Sequence, residues 1–235
     1  MEKSTVEEIR DKFDQMANRY TNLETGQDTA LDSPLTLALI SKAASIYNPN
    51  AKAIMDLGCG GGNYIVKLTT LLPNVDVTLV DLSANMLEAA KKRVNYNISG
   101  EVTTLQGDFR ETNFGNNKFD IVTAATTLHH LRTKEEWELV FTKIYNSLKP
   151  GGSFWITDII LDENPQIDNF MHQGWFDWLQ DTLGTEMLNW VKGQYAKEDT
   201  PQTLNFQLDL MKKVGFKETC ILHKHFCFAA FGAIK

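Results

Sequence analysis

The chain has 235 residues, 43% of them hydrophobic and 23% charged, with 30 acids against 23 lysines and arginines. The net charge of −7 argues against a broad phosphate-tracking surface and disfavours nucleic acid as a partner. No apolar run reaches the roughly 18 residues of a membrane span. The opening Met1-Glu2-Lys3-Ser4-Thr5 carries mixed charge rather than an apolar signal core, and Cys59, Cys220 and Cys227 have no metal-ligand spacing. A cytoplasmic protein with no membrane segment and no metal site is expected.

Val6 to Tyr20 reads as a helix with Ile9, Phe13, Met16 and Ala17 on one face. Asp32-Ser33-Pro34 reads as a cap and a first-turn proline opening a helix to about Tyr47. A strand over 52–57 runs into a glycine turn and a helix to about Leu72. Strand two is Asp76–Asp81, and Ser83 caps a helix holding Met86, Leu87 and Ala90. Strand three is Val102–Gln106, strand four Phe119–Ala124, then a helix over Lys134–Leu148 and strand five at Ser153–Asp158. Alternation of this kind predicts a parallel α/β sheet with helices on both faces. Residues 162–200 read as a helical insertion over the ligand edge of the sheet. A helix at Thr203–Val214 and a hairpin of Cys220–His225 and Cys227–Ile234 close the chain. We read residues 1–235 as one domain, with 1–48 as an N-terminal helical cap and 162–200 as a lid.

The glycine turn, Asp56-Leu57-Gly58-Cys59-Gly60-Gly61-Gly62, carries the chemistry. Glycine lets another molecule touch bare backbone at a helix start, the arrangement that binds nucleotide-like ligands at the edge of a doubly wound sheet. Its Asp-x-Gly-x-Gly-x-Gly spacing is not the dinucleotide pattern. Asp81 ends strand two, 19 residues beyond Gly62, where a carboxylate can accept both hydroxyls of a ribose. A plain capping role is the alternative, but Ser83 already supplies the cap. Asp108, after strand three, can take an exocyclic amine while Phe109 or Leu82 covers the ring; a solvated loop acid is the alternative.

Together with Leu148-Lys149-Pro150-Gly151-Gly152, these segments resemble class I S-adenosylmethionine-dependent methyltransferases, strongly over about residues 35–160. The resemblance implies a Rossmann-like seven-stranded sheet, mostly parallel, with its last strand antiparallel. It implies S-adenosylmethionine as cofactor and S-adenosylhomocysteine as product. Asp56, Gly58, Cys59, Gly60 and Gly62 would meet the methionine end, with Ala124 beside the turn after strand four. Asp81, Leu82 and Met86 would take the ribose side, and Asp108 and Phe109 the adenine. The C-terminal third is more loosely similar to the carboxy-S-adenosylmethionine synthases of tRNA wobble-uridine modification. That branch holds its extra carboxylate with a basic residue, where Leu208-Asp209-Leu210-Met211 stands here, which favours the ordinary cofactor.

Methyl transfer from a sulfonium is an in-line displacement that alignment and desolvation accelerate, so no nucleophile or metal is required. A nitrogen or oxygen acceptor still needs its proton removed. His129 with its neighbour His130, His172 in the aromatic insertion, and Tyr20 at the end of the first helix are the candidates, each with a packing role as alternative. Trp175, Phe176, Trp178, Trp190 and Tyr195 are expected mostly in core or homodimer contacts, with one or two at the acceptor. The function so read is methyl transfer to a small molecule. Its rivals are a carboxy-S-adenosylmethionine synthase-like enzyme and a non-catalytic cofactor-binding regulator.

Overall fold

The computed structural model describes residues 3–22 and 25–235; Met1 and Glu2 of the opening segment, and Leu23 and Glu24 of the cap, lie outside the described residues. Thr5 and Glu8 open the first helix with a capping box: the Thr5 hydroxyl accepts from Glu8 N–H, and the Thr5 N–H donates back to the Glu8 carboxylate. In chain order the elements are α1 (Val6–Thr21), α2 (Ser33–Tyr47), β1 (Ala53–Leu57), α3 (Asn63–Leu71), β2 (Asp76–Asp81), α4 (Ala84–Asn95) and β3 (Val102–Gln106). There follow β4 (Phe119–Ala125), a 3-10 turn (Leu128–His130), α5 (Lys134–Ser147), β5 (Leu148–Ile159), α6 (Pro165–Glu198), α7 (Leu204–Val214), β6 (Glu218–His225) and β7 (Phe228–Ile234).

The strands form one seven-stranded sheet in the order β3-β2-β1-β4-β5-β7-β6. β1 to β5 are mutually parallel, and β7 runs antiparallel between β5 and β6. The period-2 alternation of side chains sorts the core into two layers. Ile54, Val77, Leu79 and Ile121 pack under α2, α3 and α4 on one face. Met55, Leu57, Val122 and Phe154 pack under α5 and α7 on the other, around Trp137, Phe141 and Met211. β1 and β4 are neighbours, with Leu57 opposite Ala124, and the crossovers leave them toward opposite ends of the sheet. Such a switch point opens a crevice at the carboxyl ends of its two strands, and the site lies there. Among the described residues no helix is long and apolar enough to cross a membrane.

One local expectation changes, and another gains detail. Asp32 occupies the position before α2, but it sits in the left-handed region (φ 53°) and makes no capping bond. Its carboxylate instead accepts from His223 Nε2 and His225 Nδ1, each at 2.8 Å, joining the start of α2 to the edge strand β6. The insertion is also more than one helix. His172 and Tyr195 are 23 residues apart, about 34 Å along a straight helix, yet their rings lie 5.4 Å apart. Gly184 (φ 82°, ψ 173°) breaks α6 there, folding it into a helical hairpin.

Candidate functional site

A cleft of about 1050 Å³ lies over the carboxyl ends of β1, β2 and β4. The glycine turn forms its floor. Gly58 takes φ +63°, and a Cβ on it would overlap the Thr127 side chain, so no other residue fits between β1 and the turn after β4. Gly60, at φ +49°, has no atom within 4 Å of its Cβ direction, which leaves bare backbone facing the cleft. Gly61 packs against the Tyr20 carbonyl and Thr21 at the end of α1, and Arg93 of α4 donates to its carbonyl. The loop is therefore clamped from both sides with Gly60 as its open point.

Asp81 adds a third clamp. Its carboxylate accepts from Gly60 N–H at 2.8 Å and from Ser83 N–H at 2.9 Å. Burial pushes its pKa up to about 6, against the two backbone donors. Asp56 is buried and accepts from the Thr123 hydroxyl at 2.6 Å. Burial, with the nearby Asp81 charge, raises it to about 7. Both acids thus carry a desolvation cost that a ligand donating hydrogen bonds, or bringing positive charge, would offset.

Most of the expected cofactor residues converge here: Asp56, Gly58, Cys59, Gly60, Asp81, Leu82, Met86, Asp108 and Phe109 all line the cleft. Gly62 and Ala124 do not line it. Gly62 starts α3 and packs against Ala90 of α4. Ala124 points into the core, and the next residues of the chain, Ala125 and Thr126, line the cleft instead. Cys59 is buried, and burial raises its thiol well above the usual range, which leaves it without thiolate character. Asp108 lines the cleft already paired: Arg110 grips its carboxylate through Nε at 2.9 Å to both oxygens, and through Nη2 and its own backbone N–H. Arg110 also reaches Glu136 at 3.0 Å. Sequence reasoning passed over it because a lone arginine in a loop carries no signal.

A second cavity of about 810 Å³ adjoins the first; Phe13, Tyr20, Tyr64, Thr126 and His130 line both. Its other walls are Trp175, Trp190, Tyr195 and Phe228 with the acids Glu198 and Asp199. α1 closes over this junction. Lys12 pairs with Glu198 and donates to Gln194 at 3.0 Å, Lys3 donates to the Asp199 carbonyl at 2.6 Å, and Asp14 accepts from the Ser83 hydroxyl at 2.5 Å.

The three catalytic candidates part company. Tyr20 stands at the junction, its phenol raised to about 12 chiefly by burial. His129 lines only the second cavity. Its Nδ1 is bound to the Asp158 carboxylate, which also accepts from the Leu128 and His129 N–H groups. Burial opposes its charged form, but Asp158 and Asp199 outweigh burial and raise it to about 9. His172 lines neither cavity. Its Nδ1 donates to the Asp168 carbonyl at 3.0 Å and its Nε2 accepts from Tyr195 Oη at 3.1 Å, so both nitrogens are spent tying the two arms of α6 together. His130 lines both cavities; burial, with His129 and Lys12, holds its imidazole well below the usual range and hence neutral. Asp199, pushed up to about 6 by burial, reaches the same spot from the far end of α6, which no local pattern announces. Trp175 is buried in a satellite core with Leu31, Leu179, Val191 and Phe228, so much of the aromatic insertion packs on its own chain.

The seven-stranded sheet with its reversed β7 is a fold shared with solved S-adenosylmethionine-dependent methyltransferases. Residues 54–152 match the methyltransferase domain family. It is 27% identical to a carboxy-S-adenosyl-L-methionine synthase of Nautilia profundicola, over 77% of this chain and 76% of that protein. It is 29% identical to a demethylmenaquinone methyltransferase of Symbiobacterium thermophilum, over 90% of this chain and 85% of that one. Human N-acetylserotonin methyltransferase, solved with its S-adenosylmethionine, shares the fold at TM-score 0.62 and 18% identity; the match covers 99% of this chain and 60% of the human one.

Proposed function

We propose that the chain transfers the methyl group of S-adenosylmethionine to a small-molecule acceptor held in the second cavity. The observation that carries this reading is the junction: the cleft expected to hold the cofactor opens into an aromatic- and acid-lined cavity through Tyr20, Thr126 and His130. On this reading Asp81 accepts from the ribose hydroxyls, Gly60 lies under the methionine end, Asp56 faces its ammonium, and Leu82, Met86 and Phe109 enclose the adenosine. Asp108 meets the adenine amine while remaining paired with Arg110. α1 and the α6 hairpin act as a lid that excludes water. Orienting donor and acceptor across the junction supplies about 7–11 kcal/mol of the barrier reduction in favourable cases. Neutral His130 is the imidazole placed to accept an acceptor proton.

The experiment is incubation of methyl-labelled S-adenosylmethionine with separated small-molecule and RNA fractions of a cell extract. Label is expected in the small-molecule fraction; label only in RNA overturns the reading. The relative from Nautilia profundicola favours carboxy-S-adenosylmethionine synthesis as a second reading. α7 speaks against it, because none of its residues lines either cavity, and Leu210 and Met211 are buried in the core. The mass of the ligand that co-purifies with the protein separates the two.

A further inference from the structure

Among the described residues, His130 Nδ1 and Thr200 Oγ1 are buried side-chain atoms without a hydrogen-bond partner. Thr200 is joined to His129 by a backbone bond of 2.6 Å, so the 3-10 turn after β4 and the end of α6 are held face to face. Between them lie His129 Nε2 and His130 Nδ1, each 3.6 Å from Asp199 Oδ1, and all three atoms lie within 4.8 Å of one another. A distance of 3.6 Å is too long for a hydrogen bond. It matches the roughly 3.4 Å between neighbouring ligand atoms of a tetrahedral ion with bonds near 2.1 Å.

We propose that His129, His130 and Asp199 form a binding site for a first-row divalent transition ion at the boundary of the two cavities. Asp158 accepts a hydrogen bond from His129 Nδ1, which leaves Nε2 as the nitrogen directed at Asp199, the outer-shell device that orients histidine ligands. Asp158 and Asp199 together compensate the ion's charge, and Lys12, whose charge bears on both histidines, is paired with Glu198. Two imidazoles and one carboxylate suit zinc or iron(II) rather than magnesium or calcium, which prefer all-oxygen sets. Three protein ligands leave a coordination position open, and His130 lines both cavities, so that position faces the junction. If the second cavity holds the acceptor, as proposed above, an ion there, with His130 as its ligand and no longer as the proton acceptor, would polarise an acceptor oxygen and ease loss of its proton to water. A second cluster, Asp32 with His223 and His225, has its atoms in contact at 2.8 Å as hydrogen bonds and serves as the internal control.

The test is calorimetric titration of chelator-treated full-length protein with Zn²⁺, and the visible absorption of Co²⁺ bound in its place. The expected result is one ion per chain, with affinity reduced roughly 10- to 100-fold or more in both His130→Gln and Asp199→Asn, and no change in a His223→Ala/His225→Ala double variant. Absence of saturable binding by the wild-type chain overturns the proposal, whatever the variants do. Binding that survives His130→Gln and Asp199→Asn, or that is lost with His223 and His225, overturns it equally. The titration uses the ion alone, so a negative result leaves the methyl-transfer reading standing.

Discussion

Asp81 holds a loop and, on the proposed function, a ligand with one carboxylate. Both Asp81 and Asp56 bind a proton more tightly in the folded chain than at their ordinary value of 3.8, with pKa about 6 and about 7. Through them, folding stability falls as pH rises from about 4 to 7. A ligand that donates hydrogen bonds to the charged forms reverses that preference, so cofactor affinity strengthens over the upper part of the window. Calorimetry of S-adenosylhomocysteine binding against pH should show two steps, near 6 and near 7, and Asp81→Asn should remove the lower. Two steps that persist in that variant would contradict the assignment. Thr126 makes a second residue-scale case. It is β-branched yet held at φ 48°, at the junction of the cavities. Strain of this kind costs on the order of 1–2 kcal/mol, and Thr126→Gly is expected to raise thermal stability by a few degrees in a chain of this size. A lowered melting temperature would count against strain. Asp56 and Asp81 were legible in the sequence because their distance from a glycine turn fixes where they end up. Asp199, Arg110 and Asp158 were not, since their roles come from contacts between segments far apart, as in the 3.6 Å approach of Asp199 to His129. His172 was misplaced for the same reason: the Tyr195 partner that occupies it lies across a reversal invisible in the local pattern.

At the level of elements, that reversal turns on one of the three glycines of α6. Gly184 and Gly193 both sit within α6, and neither has an atom within 4 Å of its Cβ direction. Only Gly184 has positive φ, in a region that side-chain-bearing residues scarcely occupy. Gly184→Ala should therefore destabilise the protein by about 1–3 kcal/mol, and Gly193→Ala should stabilise it by about 0.5–1 kcal/mol. Denaturant unfolding of the pair checks both signs, and equal effects would mean that α6 does not fold back at Gly184. The helical content of 162–200 was legible from its composition, but the turn was not, because its three glycines look alike until the satellite core around Trp175 and Phe228 selects one of them. Ser83, by contrast, caps α4 as its spacing predicts, accepting from Met86 N–H at 3.0 Å, since capping is decided within four residues.

For the whole molecule, the parallel sheet was legible almost strand by strand. Each strand flanked by its crossover helix carries its own buried run, and β2 and β3 run Asp76–Asp81 and Val102–Gln106 as expected. What sequence does not carry is the relation between layers: α1 closing the cleft through Lys12 and Glu198, and the two cavities meeting behind it. That meeting is the centre of the account, and a crystal structure with S-adenosylhomocysteine bound tests it most directly. The account predicts the ribose hydroxyls on Asp81 and the sulfur at the Tyr20–Thr126–His130 junction, facing the second cavity. A sulfur directed away from that junction, or a ribose that bypasses Asp81, would contradict it.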